Sequence, residues 1–118
     1  MTVTEVEQTL DWVEIENVDW RPLAGAEGVS TKILWRDPAG ISSAGLMRIE
    51  PDAVLATHTH RFAVHHLLVV EGTLRVGQRW LRAGGYAFVP AGAPHCVDEV
   101  GPNGCVLFFN YLSLADFN

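Results

Sequence analysis

Apolar and polar residues follow one another in short runs along this chain, and many runs alternate with the period of two that is typical of β-strands. Gly, Pro, Asn and Asp cluster between the runs, as they do in turns. No long window keeps the 3.6-residue apolar period of a helix. The predicted strands are Trp12–Ile15, Thr31–Arg36, Gly45–Ile49, Ala53–Thr57, His65–Val70, Thr73–Val76, Arg79–Arg82, Tyr86–Val89, Cys96–Val100 and Cys105–Leu112. Many short strands with turns between them indicate an all-β sandwich or barrel.

The acidic residues are unevenly placed, which sets the N-terminus apart. The chain of 118 residues has 14 acidic and 8 basic side chains and a formal net charge of −6. Residues 1–20 contain six of the acids and no Lys or Arg, so the remaining residues hold eight of each sign. We therefore expect one domain, with an acidic arm or edge strand at residues 1–20 and a barrel at residues 21–118.

Composition also excludes several classes of partner. The neutral body lacks the basic stripe that a nucleic-acid-binding protein needs. No apolar run reaches the length of about 20 residues that spans a bilayer. The N-terminus has neither the basic region nor the apolar region of a signal peptide, which favours a cytoplasmic location. We expect no nucleic-acid partner and no contact with a membrane.

The histidines carry the candidate chemistry. Four of the five lie between positions 58 and 66, and the fifth is His95. Period two places His58 and His60 on one face of a strand. His65 and His66 must face opposite sides of the next strand, so one of the two can join His58 and His60. Apolar residues follow on both faces of that strand, and we expect it to be buried on both sides.

A lone His-x-His pair is more often a surface feature of a strand than a metal site. Here a third histidine follows after a turn-sized gap, and a fourth follows a Pro-x-Gly turn. Neutral imidazole is a common ligand of Zn, Fe, Cu, Ni and Mn. The gathering of all five histidines into two places therefore favours a metal site over histidines scattered in the core or on the surface.

Residues 51–99 resemble the two motifs of the cupin superfamily. The first motif is His-x-His, a Glu after a short gap, and a Gly beyond it; here it reads His58-Thr59-His60, His65 and Gly72. The second motif is Gly, Pro-x-Gly, His and Asn; here it reads Gly84, Pro90-Ala91-Gly92, His95 and Glu99. The resemblance implies a double-stranded β-helix, or jelly-roll barrel. It also implies that the metal ligands are His58, His60, His65 and His95.

His65 stands where the family has a ligand Glu, and this changes the chemistry of the centre. Four neutral imidazoles leave a divalent metal with its full charge, which makes it a stronger Lewis acid and favours anionic substrates. Imidazole ligation suits transition metals better than Mg or Ca. We expect one divalent metal, with Fe(II) favoured and Zn, Ni, Cu or Mn as alternatives.

Among cupins, the chain is similar to small acetylacetone and dihydroxyacetophenone dioxygenases and to the cupin half of ChrR-type anti-sigma factors. The dioxygenase resemblance implies an iron enzyme that uses O₂ to cleave a β-diketone or a hydroxyaryl ketone. The alternatives are a non-catalytic metal- or ligand-binding sensor module and an oxygen-independent cupin isomerase or lyase.

Two further residues are candidates for catalysis. Arg48 could clamp an anionic substrate if it points inward, and Glu99 could act as a base or orient a histidine. For each of them the alternative is a solvated surface side chain. The resemblance to small cupins also implies a homodimer, in which the acidic arm of one subunit docks on the other.

Overall fold

Strands make up most of the part of the chain that the structure describes. This computed structural model describes residues 10–53, 58–59, 63–95 and 97–114, and for residues 58–59, 94–95 and 97–98 it describes the backbone alone. In these ranges the one helical element is a 3₁₀ turn at Ile15–Asn17, and no helix is long and apolar enough to cross a membrane. The strands are β1 Arg21–Pro22, β2 Val29–Arg36, β3 Ser43–Ile49, β4 His58–Thr59, β5 Ala63–Val76, β6 Arg79–Arg82, β7 Tyr86–Val89, β8 Pro94–His95 and β9 Val97–Ser113.

The strands form one large and one small antiparallel sheet. The large sheet has the order β1-β2-β3-β9-β5-β6, and β7 also pairs with β5. The small sheet pairs β4 with β8. The strand order runs far from the sequence order, so contacts between distant parts of the chain hold the fold together. The prediction of an all-β fold is confirmed.

The predicted strands agree with the structure at the short hairpins and differ at the long strands. β6 and β7 have the predicted bounds. β5 joins two predicted strands across the expected turn at Gly72, and β9 does the same across residues 101–104, because both sites are shifts in the β5–β9 register. The prediction of a strand at Trp12–Ile15 is wrong. A 3₁₀ turn begins at Ile15, and among the described residues no strand pairs with this segment.

One face of the large sheet forms the hydrophobic core. On β5 the residues in phase with His65 face inward, and Ala63 and Val69 are almost fully buried. The core also includes Leu74 of β5 and residues of β2, β3 and β9, which are Val29, Ile49, Cys105, Leu107 and Phe109. The other face of β5 is half-exposed at Leu68 and Val70. The expectation that this strand is buried on both sides is therefore wrong.

The segment before β1 covers one end of the outer face of the sheet. The Lys32 ammonium lies 5.1 Å from the Trp20 ring centroid and donates a hydrogen bond to the Ile15 carbonyl oxygen at 3.1 Å. The Arg48 guanidinium lies over the same indole at 4.5 Å. Two cation–π contacts and one hydrogen bond thus fasten residues 15–20 onto β2 and β3.

Candidate metal centre

His65 lies on a strand that has partners on both sides. Its Cα pairs with Tyr111 of β9 on one side and with Val89 of β7 on the other. A residue in the middle of three hydrogen-bonded strands has a fixed backbone, which suits a ligand that must keep its direction. His65 shares the inward face of β5 with the buried residues Ala63 and Val69.

Tyr111 is the neighbour of His65 that the sequence analysis missed. The two rings meet edge to face, with centroids 4.8 Å apart and planes at 61°. Tyr111 follows Leu107 and Phe109 on the inward face of β9. Period two in the predicted strand Cys105–Leu112 could have placed it on that face, but only the β5–β9 register shows that it lies opposite His65.

The strand pairing brings the two cupin-like motifs together at His58 and His95. These residues are directly opposite Cα partners of the antiparallel β4–β8 ladder. A turn closed by the Ala93 amide donating to the Pro90 carbonyl oxygen connects Val89, which lies beside His65, to His95. The backbone of the second motif therefore runs from a position beside His65 to a position opposite His58.

The structure does not describe the side chains of the other three predicted ligands. His60 is not among the described residues, and for His58 and His95 the backbone alone is described. Among the residues that are described, no three His, Cys, Asp or Glu side chains come together as a metal site. The four-histidine centre stays a prediction.

Arg48 lies on β3 with its side chain on the outer face of the sheet. It pairs with Val106 of β9, and its neighbours in sequence, Met47 and Ile49, belong to the core side. The guanidinium stacks on Trp20, and its Nε lies 3.6 Å from a carboxylate oxygen of Glu50. The structure does not bring Arg48 to the face that carries His65.

Glu99 lies opposite Arg75, near the end of β5 that is far from His65. The Arg75 guanidinium donates a hydrogen bond to the Glu99 carboxylate at 3.2 Å, and the Glu99 side chain is 59% exposed. Arg75 is the neighbour of the core residue Leu74 and points to the other face. The structure thus gives Glu99 an ion-pair partner and does not place it beside His65.

His66 occupies the outer face of β5, as strand parity predicts. Its Nδ1 shares a hydrogen bond with the Tyr86 hydroxyl, and its ring lies 5.1 Å from that of Phe88. Both partners belong to β7 and are half-exposed. His65 and His66 therefore have separate environments, one facing the core and one on an aromatic surface.

Cys105 is a free thiol in the core, paired with Ile49 of β3 and Gly72 of β5. Burial raises its pKa to about 11, because the thiolate would lose its hydration there. The protonated thiol behaves as a small apolar side chain.

Comparison with known proteins places this chain in a family. Residues 8–115 match the sequence profile of the ChrR cupin-like domain. The chain belongs to this cupin family. A search of curated protein sequences finds no match.

Solved cupin structures share the fold of this cupin. KdgF from Halomonas sp. is 21% identical, with 93% of this chain and 100% of that chain covered and a TM-score of 0.74. An acetylacetone dioxygenase from Acinetobacter johnsonii is 18% identical, with 88% and 74% covered and a TM-score of 0.73. The anti-sigma ChrR from Rhodobacter sphaeroides, solved with SigE, is 28% identical, with 82% and 50% covered and a TM-score of 0.63. The expected cupin fold is therefore confirmed.

Proposed function

We propose that this cupin holds one divalent transition metal on His58, His60, His65 and His95, and acts as a dioxygenase on a small carbonyl compound. The observation that carries the proposal is the β4–β8 pairing, which sets His58 opposite His95 although the two residues come from different motifs. His65 supports it from β5, where it faces inward between two partner strands. Imidazole donors fit Fe(II), Zn, Ni or Cu, and we favour Fe(II).

When bound, such a metal supplies a positive centre that polarises a carbonyl oxygen and favours an enolate over the neutral ketone. The residues around the proposed centre determine which molecules can reach the metal. His65 is held in direction by the flanking strands and by its contact with the Tyr111 ring. Leu67 and Val69 line the same face of β5, so apolar side chains exclude water on this side of the centre. A β-diketone or a hydroxyaryl ketone matches a site of this character.

Neither Arg48 nor Glu99 has a role in the proposed reaction. Their side chains are engaged by Trp20 and Arg75, respectively, on the outer face of the sheet. The proposed centre therefore relies on its four imidazoles and the ring of Tyr111, without a carboxylate base of its own among the described residues.

The adjacent histidines provide the matched test of the metal centre. We expect His65→Gln to lose most of the bound metal and His66→Gln to keep it, as measured by elemental analysis of each purified protein after Fe(II) loading without oxygen. The two substitutions remove the same group from neighbouring positions of one strand, on opposite faces. Equal metal content in the two variants would refute the proposed ligand set.

Activity is tested separately by oxygen uptake with Fe(II)-loaded protein and pentane-2,4-dione or a hydroxyaryl ketone. We expect uptake above that of free iron, with the His65→Gln variant at the level of free iron. Uptake no higher than that of free iron across metals and both substrate classes would rule out the dioxygenase.

A second candidate is a binding module in which the metal senses a ligand. The family that this chain matches is the ChrR cupin-like domain. The 28% identical structure is the anti-sigma ChrR in complex with SigE. This chain covers half of that chain, so the function of the whole protein does not transfer by likeness. A tightly held Zn with no oxygen uptake would favour this candidate, and a metal-free protein would exclude it.

A further inference from the structure

β6 is the last strand of the large sheet, and one of its edges is open in the part of the chain that the structure describes. The strand order ends with β9-β5-β6, and no described strand pairs with the side of β6 that faces away from β5. A groove of about 490 Å³ is lined by residues 79–85, which include all of β6. Successive residues of a strand point to alternate faces, so a groove that touches each of them runs along the edge.

An open strand edge offers backbone N–H and C=O groups to a further strand. Where a peptide is recognised by strand addition, backbone hydrogen bonds supply the affinity and the neighbouring side chains supply the specificity. The four residues of β6 span roughly 13 Å, which is enough to pair with a short extended segment. The side chains of β6 therefore decide which segment fits.

Positive charge lies at both ends of β6. Residues 72–97 contain three arginines and no Asp or Glu. Arg75 forms an ion pair with Glu99, whereas Arg79 and Arg82 are exposed and no described carboxylate pairs with either of them. Guanidinium groups bind carboxylates through charge-assisted hydrogen bonds, so both ends of β6 attract acidic side chains.

Between these arginines, β6 has an apolar side chain on each face. Trp80 is 50% exposed and shares a face with Arg75, its Cα partner on β5. Leu81 lies on the opposite face and packs against the core. Side chains that oppose each other across a strand pair interact directly. The segment that best complements β6 therefore has an acidic residue, two apolar residues and a second acidic residue in succession.

The same charges act against pairing between two β6 strands. In an antiparallel pair centred on β6, Arg79 of one copy would oppose Arg82 of the other. Like charges directly opposite each other destabilise a strand pair. Specificity arises from repulsion of the wrong partner as well as from attraction of the right one. The arginines thus disfavour a second β6 at this edge and favour an acidic strand.

We propose that the open edge of β6 binds an extended acidic segment of a partner protein, which pairs with β6 as an additional antiparallel strand. Carboxylates of this segment contact Arg79 and Arg82, and an apolar side chain contacts Trp80. β6 pairs with the end of β5 that is far from His65, so the binding site is separate from the metal centre. The proposal does not depend on the proposed enzymatic function.

Fluorescence anisotropy of a fluorescein-labelled peptide with Glu-Val-Val-Glu at its centre tests the proposal on the full chain. We expect saturable binding of this peptide and no binding of a Lys-Val-Val-Lys peptide. The Glu peptide with N-methylated valines keeps its charges but lacks the N–H of whichever valine faces β6, so it should bind about tenfold more weakly or less. Amide hydrogen exchange of residues 79–82 should slow when the unmethylated Glu peptide is bound.

Paired substitutions separate the arginines of β6 from the charge of the whole chain. Arg79→Gln combined with Arg82→Gln should weaken binding about tenfold, because two charged contacts are lost. Arg21→Gln combined with Arg36→Gln is the matched control, since these two arginines are also exposed but lie on β1 and β2. We expect the control to change the affinity less than about twofold, because salt screens distant charges. Both proteins should keep the circular dichroism spectrum of the unmodified chain.

Four results would overturn the proposal. The first is the absence of saturable binding of the Glu peptide. The second is an equal loss of affinity in the two paired variants, since attraction by the overall charge would then explain the binding. The third is binding that N-methylation leaves unchanged, because strand addition would then play no part. The fourth is binding seen only in a variant that combines Asp11→Asn with Glu14→Gln, because the acidic segment of this chain would then occupy the edge.

Discussion

His65 and Tyr111 lie directly opposite each other on β5 and β9, and the edge of one ring meets the face of the other at 4.8 Å between centroids. The contact joins the candidate ligand to the hydrophobic core, because Tyr111 packs against the buried core residues. A ligand ring that is already oriented loses less entropy when it binds a metal. Tyr111 is therefore a positioning residue for His65.

Replacing Tyr111 by Leu removes the ring contact and leaves an apolar side chain. Such contacts between rings contribute about 0.5–1.5 kcal/mol, so we expect Tyr111→Leu to weaken Co(II) binding about two- to tenfold. Tyr111→Phe keeps the ring and should bind within about twofold of the unmodified chain. Competition with a chelator measures both affinities. Equal losses in the two variants would assign the effect to the hydroxyl group.

Glu99→Gln distinguishes the position seen in the structure from the role suggested by the second cupin motif. Because the Arg75–Glu99 pair is exposed, we expect a loss of less than about 1 kcal/mol in the free energy of unfolding and unchanged metal content. Urea titration and elemental analysis measure these quantities. A large fall in metal content at unchanged stability would show that Glu99 acts at the centre after all.

Sequence patterns predicted the local structure where a short strand ends at a turn. β6 and β7 have their predicted bounds because Gly and Pro interrupt the apolar runs on either side. The same pattern predicts a turn at Gly72, but there the chain continues as a strand, because the β5–β9 pairing absorbs the extra residues as register shifts. Register depends on distant partners, and a local pattern does not contain it.

In the candidate site, too, local pattern predicts some features and distant contacts decide the others. Parity of the strand predicted that His65 and His66 face opposite sides, and the structure places His65 beside Tyr111 and His66 beside Tyr86. Parity places Arg48 on the face opposite Met47 and Ile49, but its own strand does not show which face forms the core, since Leu46 on the Arg48 side is also apolar. Trp20, from a separate segment, lies against the guanidinium on the outer face. Contacts between segments far apart in sequence decide where such long side chains go.

Cys105 makes stability depend on pH in the alkaline range. Burial raises its pKa from 9.0 in the unfolded chain to about 11 in the folded one. Between these values the unfolded chain loses the thiol proton and the folded chain keeps it, so the free energy of unfolding falls as pH rises. The full effect is at most about 2–3 kcal/mol and is fully lost above the folded pKa.

Urea unfolding of the unmodified chain and of Cys105→Ala, from neutral pH to just above the folded pKa, measures this effect. We expect a steeper fall in stability with pH for the unmodified chain, since tyrosine and lysine titration contributes equally to both proteins. Parallel curves would mean that the Cys105 thiol ionises as easily in the folded chain as in the unfolded one.

A glycine can be required by a positive φ or by the close approach of another backbone, and substitutions at Gly72 and Gly77 distinguish these two requirements. Both have positive φ, +73° and +62°, where any other residue is strained. A Cβ on Gly72 would overlap the carbonyl oxygen of Gly104 on β9, whereas a Cβ on Gly77 meets nothing within 4 Å. Gly77→Ala should therefore cost only the conformational strain, about 1–2 kcal/mol in the free energy of unfolding.

Gly72→Ala should cost about 3 kcal/mol or more, because the β5–β9 strands must also move apart at the bulge. Since strain is common to both variants, the difference between their losses measures the close approach of the two backbones. Thermal unfolding of the two variants side by side gives this difference. Equal losses would show that the strands can separate at Gly72 without cost, and the bulge would then not be what fixes the β5–β9 register that sets Tyr111 opposite His65.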